Sequence, residues 1–264
     1  MSAATPRNIS TSHQLATLYR VQLQHMLRTR KTIALFTVQL IPVIIGLVMA
    51  IRTDTDGLVF FRDIISMVTF PFLVPLAALF YGGPAIVEEM EGRTLTYLTL
   101  RPISRPALYL GKVLAGITVA AAQVIIPMVL LFIVCVAKSS DFGATLGSLA
   151  QLSGAAALGV VTYSLIFAML GAVFATSMLP SILYFVFFEM MLAVLPVLEL
   201  ASVRYYIRTL AGLNAGERLG PLEGLILDQP IVFSWWVGAL ILSLLSAVAA
   251  TAGALTFKEK QYYV

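Results

Sequence analysis

Long stretches without a charged residue alternate along the chain with short, charge-rich clusters. Residues 32–51, 64–87, 113–137, 142–188 and 229–257 hold no Asp, Glu, Lys or Arg. A helix that crosses a bilayer needs about 20 mostly apolar residues. Four of these runs each accommodate one such helix. The run 142–188 is too long for one, and Pro180 marks where a tight turn divides it, because proline lacks an N–H and disfavours helix in the residue before it. The pattern predicts an all-α polytopic membrane protein, a single transmembrane domain 1–264 with six transmembrane helices at 32–51, 64–81, 113–137, 149–176, 181–198 and 234–257. The first run outlasts the roughly 7–15-residue core of a signal peptide, so it reads as an uncleaved span.

The segments between the spans also carry pattern. Residues 13–30 place Leu15, Leu18, Leu23 and Met26 on one helical face, with Arg20, Gln24 and Arg28 on the other. This is an N-terminal interfacial helix, either lying in the headgroup layer with its arginines toward anionic lipid or packed on a partner protein. The segment 201–233 carries a stripe of Val203, Tyr206, Ile207 and Leu210, then Gly212, Gly216, Gly220 and Pro221, then a second apolar piece. Short reentrant outer helices before the last span are expected there. They must pack on the bundle, since irregular backbone at membrane depth needs protein or water around it. Trp235 and Trp236 open the last span, as interfacial tryptophans do.

Composition sharpens this picture. Hydrophobic residues make up 59% and charged residues 11%, against about 25% charged in soluble domains. Too few charges remain to cover a soluble surface, which excludes a soluble enzyme, and disorder needs the opposite balance. Cys135 is the one cysteine, and His13 and His25 both lie in the basic N-terminal segment, so no disulfide and no metal centre are expected. With six spans both termini share a side. Eleven of the Lys and Arg residues fall on that side and six on the other. Positive residues favour the cytoplasm, so both termini are expected inside a cell (inner) membrane, and the net charge of +4 needs no nucleic-acid partner.

The connection 82–112 is the most specific stretch. Glu88, Glu89 and Glu91 cluster after the second span. Gly92 interrupts, then Thr94, Leu95 and Leu98 form a short segment, and Arg101-Pro102 and Arg105-Pro106 turn the chain toward Gly111-Lys112. A short helix between two proline-marked turns makes a rigid projection able to pass force from a cytoplasmic subunit. The ordinary alternative is a solvated loop with weak surface pairs. This pattern resembles the first cytoplasmic loop of type-2 ABC exporter permeases, the transmembrane subunits of ABC transporters. The interfacial helix, the six spans and the outer reentrant segment are similar too.

The resemblance implies a permease subunit of an exporter that forms the translocation path in a dimer. The loop would be its coupling helix, seated on a separate ATPase. Two ABC ATPase subunits, a second permease copy or paralogue and membrane lipids would be its partners, with ATP and Mg on the ATPase and no cofactor on this chain. No phosphate-binding loop is present: Gly111-Lys112 is followed by Val113 where Ser or Thr is required, and Pro106 stands where the first glycine should be. The chain therefore reads as non-catalytic by itself.

Within the spans, Glu189 is the one ionisable residue deep in an apolar stretch. An intramembrane carboxylate costs about 2.5 kcal/mol or more to insert and marks a functional site by default. The structural alternative is a bond to a neighbour such as Tyr163. Gln39 and Gln123 are weaker path candidates, since neutral amides often link helices. Two competing readings stay open. An intramembrane lipid-modifying enzyme would need a cluster of His, Asp or Glu around Glu189, and a secondary transporter would usually carry internal repeats.

Overall fold

The computed structural model describes residues 11–52, 56–84, 105–136, 142–174, 178–191, 198–213 and 233–259, and their regular structure is all helical. The first helix, α1 (Thr11–Leu27), leads through a turn into α2 (Arg30–Gln39) and α3 (Ile41–Arg52). These last two form one apolar rod bent at Leu40. Pro42 sits in the first turn of α3, where its missing N–H costs no helical bond.

The next rod starts at Asp56, whose carboxylate accepts the Leu58 N–H at 3.0 Å as an N-cap. It runs through α4 (Gly57–Ile64), a π-helical stretch Ile65–Leu73 and α5 (Val74–Tyr81). Pro71 and Pro75 each remove a donor, and the helix widens where the regular ladder cannot close. Then follow α6 (Arg105–Val136), α7 (Phe142–Phe174) and α8 (Leu179–Tyr184), the last continued by a π-helical stretch Phe185–Met191. A 3-10 turn Leu198–Ala201, α9 (Val203–Leu210) and α10 (Trp235–Glu259) complete the described chain.

Among the described residues, five helices are long and apolar enough to cross a membrane: Arg30–Ile51, Gly57–Tyr81, Leu108–Val136, Thr145–Phe174 and Trp235–Phe257. The segment expected at 181–198 differs. Its apolar helix, Leu179–Met191, is shorter than a full span, and 192–197 lie outside the described residues. Other boundaries shift for local reasons. The second rod begins at Gly57 rather than 64, because Arg62 and Asp63 sit inside its first turns without ending it. Helix α7 begins at Phe142 rather than 149, and α6 at Arg105, so the last part of 82–112 is helical. Pro180 occupies the first turn of α8 instead of the turn before it, a position proline tolerates.

Burial divides the bundle into a centre and a periphery. The second, third and fourth of these rods are 67%, 56% and 61% buried, but Arg30–Ile51 is only 22% and Trp235–Phe257 28%. The outer two keep rows of exposed apolar side chains, among them Ile33, Ile44 and Leu47, and Leu240, Leu244 and Val248. In water such rows would be untenable; in a bilayer they meet lipid or another apolar surface.

Helices α7 and α10 run parallel, with Thr162 beside Leu242 and Ser246. The short α9 lodges against both. Its Ile207 lies directly against Gly159 of α7, and a Cβ at Gly238 of α10 would stand 2.8 Å from the Tyr206 carbonyl, so only glycine admits this approach. At the other end, α1 lies along α6. The Tyr19 hydroxyl donates to Thr118 Oγ1 at 3.0 Å, Leu18 and Leu23 pack on the core, and Arg20, Gln24 and Arg28 remain exposed.

Candidate functional site

Each of the polar span residues singled out in the sequence is the centre of a polar knot within the apolar bundle. The first is built on Glu189, which is 3% exposed. Ser202 Oγ donates to its Oε2 at 2.6 Å, the Val203 N–H donates to Oε1 at 3.0 Å, and the Arg204 N–H donates to Oε2 at 3.3 Å. Ser202 is the N-cap of α9 but makes no cap bond of its own. The carboxylate from a separate helix does that work. The first N–H groups of a helix have no partner inside it, and in hydrocarbon water cannot supply one. A carboxylate there both satisfies them and complements the positive end of the helix dipole.

The knot lies at depth. Glu189 neighbours the fully buried Tyr163, and the adjacent Thr162 contacts Leu242, seven residues into α10. At 1.5 Å per residue this is about 10 Å below Trp235. Tyr163 does lie against the carboxylate, as expected of a structural neighbour, but the well-formed hydrogen bonds to Glu189 come from Ser202 and two backbone N–H groups. Arg204 brings a guanidinium to the same level, and its buried Nε has no hydrogen-bond partner among the described residues.

Gln123 forms the second knot. Its Nε2 donates to the Thr32 carbonyl at 2.8 Å and to the Tyr81 hydroxyl at 2.9 Å. Tyr81 in turn donates to Thr32 Oγ1 at 2.9 Å, and Thr32 Oγ1 donates to the Met26 carbonyl at 2.6 Å. One amide thereby ties α6, the end of α5, the start of α2 and the hinge after α1. Its Oε1 is buried without a partner. Gln39 makes the third knot, donating from Nε2 to the Leu73 carbonyl at 3.0 Å, where the π-helical stretch ends. Beside it a cavity of about 10 Å³, lined in part by Pro42, Thr69 and Pro127, has room for about one water.

The three knots share no hydrogen-bond partner, so Glu189, Gln39 and Gln123 are not joined in one network among the described residues. In the connection, Glu88, Glu89, Glu91, Gly92, Thr94, Leu95, Leu98, Arg101 and Pro102 lie outside the described residues, and Arg105 opens α6. Residues Gly82–Pro84, which lead from α5 toward it, are buried. Sequence reasoning missed Ser202, Thr32 and Tyr81 as partners. Ser202 had a readable signal, a serine immediately before an amphipathic apolar stripe. Tyr81 and Thr32 had none, because their meeting depends on how three helices cross.

A family model described as ABC-2 family transporter protein matches residues 27–192, which take in the first rod, the whole 82–112 connection and Glu189. No individual curated protein matches the chain.

Proposed function

The chain belongs to the ABC-2 family of transporter proteins, and we propose that this permease subunit works in an ATP-driven exporter, passing force through 82–112 and forming its path with a second permease. A multi-pass membrane component of an ABC transporter is not catalytic by itself. On this reading ATP and Mg act on a separate ATPase, two copies of which flank two permeases. The observation that carries the reading is that the family match spans the charged connection between two central, well-buried rods. The connection leaves α5 and enters α6, so force applied to it would reach those two rods directly. The acidic cluster Glu88, Glu89 and Glu91 and the basic Arg101 and Arg105 would contact the ATPase, with Pro102 and Gly92 setting the turns and Thr94, Leu95 and Leu98 the short helix between them.

Two features support a path between two copies. The first and last spans are the least covered, and the Glu189 knot puts Arg204 at membrane depth. Transported groups would meet Glu189, Gln39 or Gln123 only if the knots open during the cycle. The cell-membrane location with both termini cytoplasmic rests on the eleven-to-six bias of basic residues. Purifying the tagged chain from its native membrane should bring down an ABC-type ATPase in stoichiometric amount; a chain that purifies without one would count against the proposal. For orientation, cysteines at Ser104 and Asn214 in a Cys135→Ala background should label from opposite faces, and labelling from one face would refute the topology.

A further inference from the structure

We infer that the hinge between α1 and α2 is a binding site for the phosphate headgroup of an anionic phospholipid. A cavity of about 100 Å³ opens there. Its rim carries His25, Thr29 and Lys31, its inner wall carries Leu35 and Phe80, and Pro84 closes the side from which the charged connection departs. That volume holds several waters, or one phosphate group in their place, but no folded peptide or glycan.

On the side of the cavity formed by α1 and α2, charge favours an anion. Arg28 and Arg30 flank the rim, both exposed, and residues 1–53 contain no Asp or Glu at all. The positive end of α2 adds to this, since Thr29 is its N-cap and turns its hydroxyl back to the His25 carbonyl at 2.9 Å instead of capping the helix. The floor is preassembled: the Gln123, Tyr81 and Thr32 bonds fix the wall whether or not a ligand is present. Position selects lipid over a soluble anion. The cavity sits where an amphipathic helix meets the first rod, with apolar Leu35 and Phe80 beside a cationic rim, so a headgroup can bind at the rim with its acyl chains in the surrounding hydrocarbon. Binding there requires only this chain, not a partner ATPase.

The test is native mass spectrometry of the purified full chain in detergent, with phosphatidylglycerol, phosphatidylcholine or sodium phosphate added. One phosphatidylglycerol should be retained per chain, at least tenfold more tightly than phosphatidylcholine, and should raise the unfolding temperature. The double variant His25→Gln with Lys31→Gln, at two exposed positions, should lose that preference about tenfold, while Lys31→Arg, which keeps the charge, should retain it. Arg20→Gln, on the same helix but away from the cavity, should keep it. Equal retention of the two lipids, or retention unchanged in the double variant, would overturn the site. Displacement of phosphatidylglycerol by sodium phosphate alone would assign the cavity to a soluble anion and overturn the lipid.

Discussion

The Glu189 and Gln123 knots solve the same problem with different chemistry. Both tie a distant helix to a break in the chain. At Glu189 the break is the buried start of α9, where three donors point at one place, and a carboxylate answers them with two oxygens. At Gln123 the break is the hinge after α1, where the open groups are a carbonyl and a hydroxyl. A donor is needed there, and a neutral amide supplies it. The charge of the buried residue follows from which end of a backbone is left open. An unsatisfied helix start calls for an anion, and an unsatisfied carbonyl for an N–H.

The comparison can be broken at several points. Glu189→Ala removes the acceptor for three buried donors and should destabilise the protein by on the order of 3 kcal/mol, read as a large fall in unfolding temperature in detergent. Glu189→Gln should be intermediate rather than silent. Both oxygens accept in the native knot, and an amide turns one of them into a donor facing a donor. A wild-type unfolding temperature for Glu189→Gln would refute the capping account. Ser202→Ala deletes one donor to the carboxylate but leaves both backbone N–H bonds, so about 1 kcal/mol is expected. Gln123→Leu should cost least of the amide and acid changes. It frees the unpartnered Oε1 from burial while losing two bonds, and a loss as large as that of Glu189→Ala would show that the two knots are not chemically distinct. Tyr81→Phe, which loses the bond to Thr32 and the one accepted from Gln123 but leaves the Gln123–Thr32 bond, should be smaller still.

What the sequence discloses differs between these regions for a physical reason. The all-α membrane class and four of the spans follow from charge-free length alone, a property local to each run. The short α8 rod was harder to read, because 142–188 is apolar throughout and charge spacing sets no boundary inside it. The π-helical stretches at Ile65–Leu73 and Phe185–Met191 had no comparable signal beyond Pro71. Glu189 stood out at once, but its partners are thirteen to fifteen residues away, across a reversal of the chain that periodicity does not reveal. The amphipathic face of α1 was legible, yet what covers it proved to be α6 of the same chain, bonded through Tyr19 and Thr118.

Coupling through 82–112 is the claim on which the functional account depends. Its most direct measurement is ATP hydrolysis by the copurified complex in lipid vesicles, comparing wild type with Glu91→Lys and Arg101→Glu. Both residues lie outside the membrane-embedded rods, so insertion and unfolding temperature should stay as in wild type. The account predicts that either reversal lowers ATPase association or transport-linked hydrolysis at least severalfold. Unchanged association, hydrolysis and transport in both variants would contradict it.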